Sequence, residues 1–269
     1  MTLLERLVDG VLFIFLREVA RYRLNVIRNN LVSAFDYRSV KDLQVDIDAN
    51  YRFLTKMIRQ VIFAPSKKKL QKKMSLNPFP DVASWLRAGK SVIVTMGHTG
   101  NWEWAGLYLG LQYPGQVCAL YKEIKSKPVN KLMLKRRSLT VDHLVEIKKI
   151  AELIRLMKNK PVLILMIADQ NPGNDQGIVW TDFLNNKTAF VNGPETLAAK
   201  FQLPVVYLHN TTREDEAYQL SFETLTDGES VLPTGDITAR YAKALEKNIL
   251  SQRAEWLWSH KRWKRKYET

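Results

Sequence analysis

The stretch "SVIVTMGHTGNWEWAGLYLGLQYPGQVCALY" (Ser91–Tyr121) carries the pattern from which the fold is read. An apolar run, "SVIVTM", leads into a glycine-bounded turn, then the helix-like "WEWAGLYLGLQ", then a second apolar run, "QVCALY". Strand-length apolar runs separated by a helical stretch form a strand–helix–strand unit. The pattern recurs downstream, where "DHLVEI", "PVLILMIA" and "PVVYLHN" read as strands. Between and around them, "VNKLMLKRRSL", "KKIAELIRLMKN" and "GPETLAAKFQ" read as helices. This alternation predicts one α/β domain, a mixed but largely parallel sheet flanked by helices. "YQLSFETL" (Tyr218–Leu225) alternates more and reads as an added strand, possible at an edge. "DITARYAKALEKNILSQRAEW" (236–256) reads as a long closing helix.

Upstream, the chain is helical. Leu3, Leu4, Leu7, Val8, Val11, Leu12, Phe15, Leu16, Val19 and Ala20 recur at helical spacing, with Arg17, Arg21, Arg23 and Arg28 close behind. Two readings stay open for this segment: a helix packed on its own domain, or an interfacial helix with arginines at anionic headgroups. Residues 41–64 continue as helix up to Pro65, and "SKKKLQKKM" (Ser66–Met74) adds a charged face. The expected organisation is a membrane-proximal helical segment over 1–40 and the α/β domain over 41–269.

Composition narrows the function classes. With 46% apolar and 25% charged residues, a largely disordered chain is excluded. There are 41 Lys+Arg against 27 Asp+Glu, a net charge of +14, which favours an anionic partner. Cys118 is the only cysteine, so no intramolecular disulfide framework exists, and its apolar surroundings suit a small buried hydrophobe. The apolar run "VLFIFL" (Val11–Leu16), fenced by Asp9 and Arg17, is far short of the ~20 residues a spanning helix needs.

The chemistry concentrates in "GHTGNWEW" (Gly97–Trp104). Gly97 and Gly100 allow left-handed or close-approach backbone around His98, at the end of a strand, where α/β sheets gather ligands. Positions i and i+5 do not share a helical face, so His98 is placed in the turn and Glu103 in the first helical turn, facing back. That arrangement predicts a general base: a neutral imidazole taking a hydroxyl proton, with a carboxylate on its other nitrogen. Amides of the glycine turn and helix start would face the oxyanion. The same spacing equally suits a structural histidine capped by glutamate. No G-x-S-x-G is present, which argues against a serine acyl-enzyme. His143, His209 and His260 lie far apart without an H-E-x-x-H or a cysteine pair, so neither a metal nor another cofactor is expected. Net basic charge with interleaved Trp and Arg also suits nucleic-acid binding, but no P-loop, zinc knuckle or RNP-like motif accompanies it. No nucleic-acid partner is expected.

"GHTGNWEW" resembles the signature of the bacterial lipid A biosynthesis acyltransferases, the late or secondary acyltransferases of lipopolysaccharide assembly. The resemblance extends to "YRLNVIRNNLVSAF", "ALYKEIKSKPVNKLMLKRRS", "IADQNPG", "WTDFLNNKTAFVNGPETLA" and "EWLWSHKRWKRK", in the family's order from about Tyr22 onward. It implies a glycerolipid acyltransferase-like fold and a membrane-associated enzyme at the cytoplasmic face of the inner membrane. Such an enzyme moves an acyl chain from acyl carrier protein to a hydroxyl of a glycolipid precursor. By resemblance His98 is the base and Glu103 its partner. Asn101, Trp102, Lys122, Arg137, Asp169, Gln170, Thr188 and Arg262 fall in the motifs that would bind substrate.

Two residues depart from the pattern. Lys122 stands where many members carry an arginine, keeping the charge and losing the bidentate fork, and Asn185 replaces a glycine. Related glycerophospholipid acyltransferases carry an F-P-E-G-T-R element that is missing here. That favours the lipid A branch over another lipid acceptor, such as a lysophospholipid, amino-acid lipid or other glycolipid. Members commonly begin with a longer hydrophobic anchor; here the Leu3–Ala20 helix would supply peripheral attachment to an anionic inner-membrane surface. Trp256, Trp258 and Trp263 suit either core or an aromatic membrane belt.

Overall fold

A computed structural model describes residues 2–173 and 177–267. Helix α1 (Leu3–Ile14) runs through a π-turn (Phe15–Val19) to α2 (Leu24–Ala34) and the long α3 (Val40–Ile62). After α4 (Lys67–Lys73), β1 (Met74–Leu76) and α5 (Pro80–Arg87), the strand–helix alternation begins. It comprises β2 (Val92–Met96), α6 (Trp102–Gln112), β3 (Val117–Tyr121), α7 (Lys127–Arg137), β4 (His143–Glu146), α8 (Ile150–Asn159) and β5 (Leu163–Ile167). A hairpin of β6 (Ile178–Phe183) and β7 (Asn186–Val191) follows, then α9 (Gly193–Phe201), β8 (Val205–Thr212), β9 (Tyr218–Thr226) and α10 (Asp236–Ser251).

Seven strands form one sheet in the order β1-β9-β8-β2-β5-β3-β4, and β6 and β7 pair separately. Strands β8, β2, β5, β3 and β4 are mutually parallel, while β9 is antiparallel to β8. The central strands are buried on both faces, which is why they read as unbroken apolar runs. Val92, Val94 and Met96 of β2 pack with Leu70, Val82, Leu86 and Trp104 of α4, α5 and α6. Ile93, between them, joins Leu153, Leu197 and Leu245 of α8, α9 and α10, together with Ile27 and Tyr51 from the N-terminal helices. Cys118 is fully buried, and burial pushes its thiol up to about 12, so it serves as core.

The expected α/β class is observed, with three local differences. β9 lies one place in from the edge, because the short β1 pairs outside it. The closing helix stops at Ser251 rather than reaching Trp256. There the Gln252 side chain hydrogen-bonds both backbone groups of Thr212 at the end of β8, turning the chain back across the sheet. Strand β1, helix α5 and the β6–β7 hairpin were not read from the sequence at all; β1 has three residues, too few for a period to register. The first residues do form a helix through Val19, and it rests on α3: Asp9 takes a bidentate bond from Arg59, and Glu5 reaches Arg59 and Lys69. No helix of the described residues is long and apolar enough to cross a membrane.

Candidate active site

Strand β2 delivers His98 and its parallel neighbour β5 delivers Asp169. Their register pairs Met96 with Ile167, so each functional residue lies two positions past its strand's last paired residue. Gly97 allows the turn because an added Cβ would sit 2.3 Å from Leu245 Cδ1. Gly100 is needed for a second reason: its φ is +53°, in the left-handed region. Asn101 then caps α6, its side-chain oxygen accepting the Trp104 N–H.

The His98 imidazole is held by Asp169, with 2.5 Å between Nδ1 and Oδ1. Asp169 Oδ2 accepts the His98 backbone N–H and the Trp256 indole N–H, each at 2.8 Å. The carboxyl is 2% exposed. Burial alone would raise its pKa, but the His98 ring and these donors outweigh that and hold it at about 2. An ionised Asp169 on Nδ1 fixes the tautomer that leaves Nε2 as the basic nitrogen. Trp102 packs edge-on against the His98 ring, at 4.9 Å between centroids.

Glu103 occupies the first turn of α6 as expected, but its carboxylate does not serve His98. It accepts a two-point ion pair from Arg137, at 2.9 and 2.7 Å, and a bond from Trp102 Nε1 at 3.2 Å. A planar guanidinium matches a carboxylate at both oxygens, a stronger pairing than one imidazole N–H offers. Arg137 is therefore a partly buried anchor rather than part of an exposed face. Glu103 raises its pKa against the effect of burial.

The remaining expected site residues fall into three sets. Asn101 is fully buried and donates to Gln60 Oε1, so its contacts are structural. Lys122 and Gln170 are exposed, at the carboxyl ends of β3 and β5. Thr188 and Arg262 sit at the β6–β7 hairpin, and Arg262 is near enough to Asp169 to feel its charge. Thr188 accepts the Trp263 indole N–H, and Arg262 donates to the Ala189 carbonyl and stacks over Phe190 at 4.3 Å. Arg262 is 1% exposed, with Nε and Nη1 unpaired among the described residues, and burial lowers its pKa to about 10.

The C-terminal segment completes the site: the sequence placed Arg262 there but did not single out Trp256 or His260 as site residues. Thr99 bridges Trp256 in antiparallel fashion: Gly100 N–H donates to Glu255 and Leu257 N–H to His98. Trp256 and Trp258 are buried, which decides for core over a membrane belt. Phe183 stacks on Trp256 at 5.8 Å, so the β6–β7 hairpin also helps enclose Asp169. His260 accepts the Asn171 N–H, and burial lowers its pKa to about 4, keeping it neutral. The turn amides expected to face an oxyanion are in part committed elsewhere: His98 N–H to Asp169 and Gly100 N–H to Glu255. Trp102 and Glu103, as the first residues of α6, carry the amides a helix start leaves without an internal partner.

A basic histidine nitrogen at the carboxyl edge of a parallel sheet, beside a helix N-terminus, suits acyl transfer to a hydroxyl. No curated protein matches the chain. The model of the bacterial lipid A biosynthesis acyltransferases matches residues 4–265, nearly the full length. The chain belongs to that family and is an acyltransferase, moving an acyl group from an acyl donor to a lipid-type acceptor.

Proposed function

We propose that the protein transfers a fatty acyl chain from an acyl carrier protein thioester to a hydroxyl of a lipid A-type glycolipid precursor, with His98 as general base. The observation that carries this reading is the His98–Asp169 pair at the edge where β2 and β5 end. In the reaction, His98 Nε2 takes the acceptor's hydroxyl proton as the oxygen attacks the thioester carbonyl. The negative charge developing on the carbonyl oxygen faces the free amides at the start of α6. The tetrahedral intermediate then collapses: the C–S bond breaks and the sulfur leaves as thiol with the proton from His98. Asp169 stays ionised throughout and stabilises the imidazolium. Glu103 acts indirectly, by holding Trp102 against the histidine ring and by tying α7 to α6 through Arg137.

Membrane attachment belongs to the same reading. Leu3, Leu4, Leu7, Val11, Ile14 and Phe15 are between 54% and 85% exposed along one helical run, a surface suited to a lipid interface. The donor assignment follows from the chain's net charge of +14 against an acidic carrier.

The test compares wild type, His98→Ala and Asp169→Asn with acyl carrier and coenzyme A thioesters and lipid acceptors, reading products by mass spectrometry. Transfer should require His98; undiminished product from His98→Ala defeats the mechanism. A preference for lysophospholipid over glycolipid acceptors would replace the acceptor. For attachment, Leu4→Glu with Leu7→Glu and Val11→Glu should abolish sedimentation with vesicles containing anionic lipid. Wild-type protein that stays in the supernatant at physiological salt would remove the membrane claim.

A further inference from the structure

Helix α7 is electrostatically unfinished. Its sequence, "KPVNKLMLKRR", contains no acidic residue, and Lys127, Lys131 and Lys135 repeat every fourth position along about 12 Å of helix. Like charges at that spacing repel, which disfavours the helix. Lys127 also stands in the first turn, where the helix dipole opposes a cation, and no side chain caps that end. None of the three lysines has an acidic partner among the described residues, as is also true of Lys67, Lys68 and Lys72 on α4; α7 differs in that its last turn is tied to Glu103 through Arg137. All three are exposed, and at 100° per residue they lie away from Met133, which is buried.

The far end of the same helix reaches the reaction centre. Arg137 locks α7 to Glu103 in the first turn of α6, whose Trp102 touches the His98 ring. The loop leading into α7 starts at Lys122, where β3 ends, two strands from β2 in the sheet. Lys122 and Lys125 extend the basic surface along this edge, and both are exposed without an ion-pair partner among the described residues.

We infer that the exposed face of α7, with the lysine column 127/131/135 extended by Lys122 and Lys125, is the docking surface for the acidic carrier protein that brings the acyl thioester. The inference rests on the donor assigned above. Charge complementarity selects this occupant. A row of unneutralised cations on one helix fits a row of carboxylates on a partner helix, and docking here places the carrier's thioester arm beside the His98 turn. A lipid surface is the poorer match: Val129 lies on the side of α7 away from the lysine column, and Val129 and Leu132, at 46% and 36%, are less exposed than Leu3, Leu4 and Leu7 of α1. Long-range attraction of this kind acts on encounter, so it appears in KM and in salt dependence rather than in the chemical step.

The experiment uses the full chain as wild type, as K127E/K131E/K135E and as the neutral K127Q/K131Q/K135Q, each checked by thermal melting. Two donors are compared, acyl carrier protein thioester and the uncharged acyl-pantetheine thioester. The charge-reversed variant should raise KM for the carrier at least tenfold and the neutral variant by less. Rates with acyl-pantetheine should stay within twofold, and the salt dependence of carrier turnover should flatten in both variants. Unchanged carrier KM in the folded variants overturns the docking surface while leaving the donor assignment intact. A wild type that uses the carrier no better than acyl-pantetheine overturns the donor assignment and the docking surface with it. Loss of binding to anionic vesicles with carrier KM unchanged would assign the column to the membrane and likewise overturn it.

Discussion

His98 draws its chemistry from what surrounds Asp169. Three donors converge on that one carboxylate, from the His98 ring, the His98 amide and the Trp256 indole, so it stays ionised although buried. Asp169→Asn keeps the size and removes the charge that fixes the tautomer. It should lower kcat by roughly 10²- to 10⁴-fold, leave KM nearly unchanged and preserve the circular dichroism spectrum. A kcat within threefold of wild type would refute the orienting role. Glu103 makes a separate prediction, because its partner is Arg137. Glu103→Gln should cost roughly 1–3 kcal/mol in denaturant unfolding, since a partly buried guanidinium loses its counter-charge. Adding Arg137→Met to Glu103→Gln should recover part of that loss, as paired residues are not additive. Strictly additive losses would mean that the ion pair carries no such coupling. The His–x₄–Glu spacing was legible in the sequence and correctly placed both residues in a turn and a first helical turn. Their bonding was not, since an acid from another strand already occupied the ring nitrogen.

Among the elements, the β2–α6 connection is the most constrained. Its two glycines are required for different reasons, space at Gly97 and backbone conformation at Gly100. Gly97→Ala forces a methyl against the Leu245 side chain in a packed core and should cost roughly 1–3 kcal/mol. Gly100→Ala adds left-handed strain of about 1–2 kcal/mol and a contact with the Asn210 side chain. Both variants should melt lower than wild type, and Gly97→Ala should also lower activity through displacement of His98. A Gly97→Ala protein with unchanged stability would mean the turn relaxes without cost. The same element shows why boundaries were harder to read than element types. Apolar runs fixed the central strands to within a few residues, but the end of α10 was set by the Gln252 bonds to Thr212, 40 residues away in sequence.

At the scale of the molecule, the site closes only when the chain's last part returns to its middle. Trp256, His260 and Arg262 follow α10 and pack against the His98 turn, the Asn171 amide and the β6–β7 hairpin. A chain ending at Gln252 should therefore lose transfer and expose Asp169 to water. Acid sensitivity follows from the same burial. His260 has a folded pKa near 4 against the usual 6.5, so the unfolded chain takes up its proton first. Its contribution to stability is complete above about pH 6.5 and falls as pH drops toward 4. Asp169, depressed from 3.8 to about 2, contributes above about pH 4 and loses that contribution as pH falls toward 2. Unfolding free energy should fall steadily below pH 6.5, and His260→Gln should flatten the upper part of that fall. A wild-type stability that is level from pH 6.5 to 4 would contradict it. The sequence by itself determined the fold class, the turn bearing His98 and the family, because strand and helix periodicity and contiguous motifs are local properties of a chain. Only the tertiary structure decided that Asp169 holds the histidine, that Arg137 holds Glu103 and that Trp256 seals the pair. Those partners meet through the strand order β2-β5-β3 and the return of the C-terminus, and adjacency of that kind is a product of packing that no local pattern encodes.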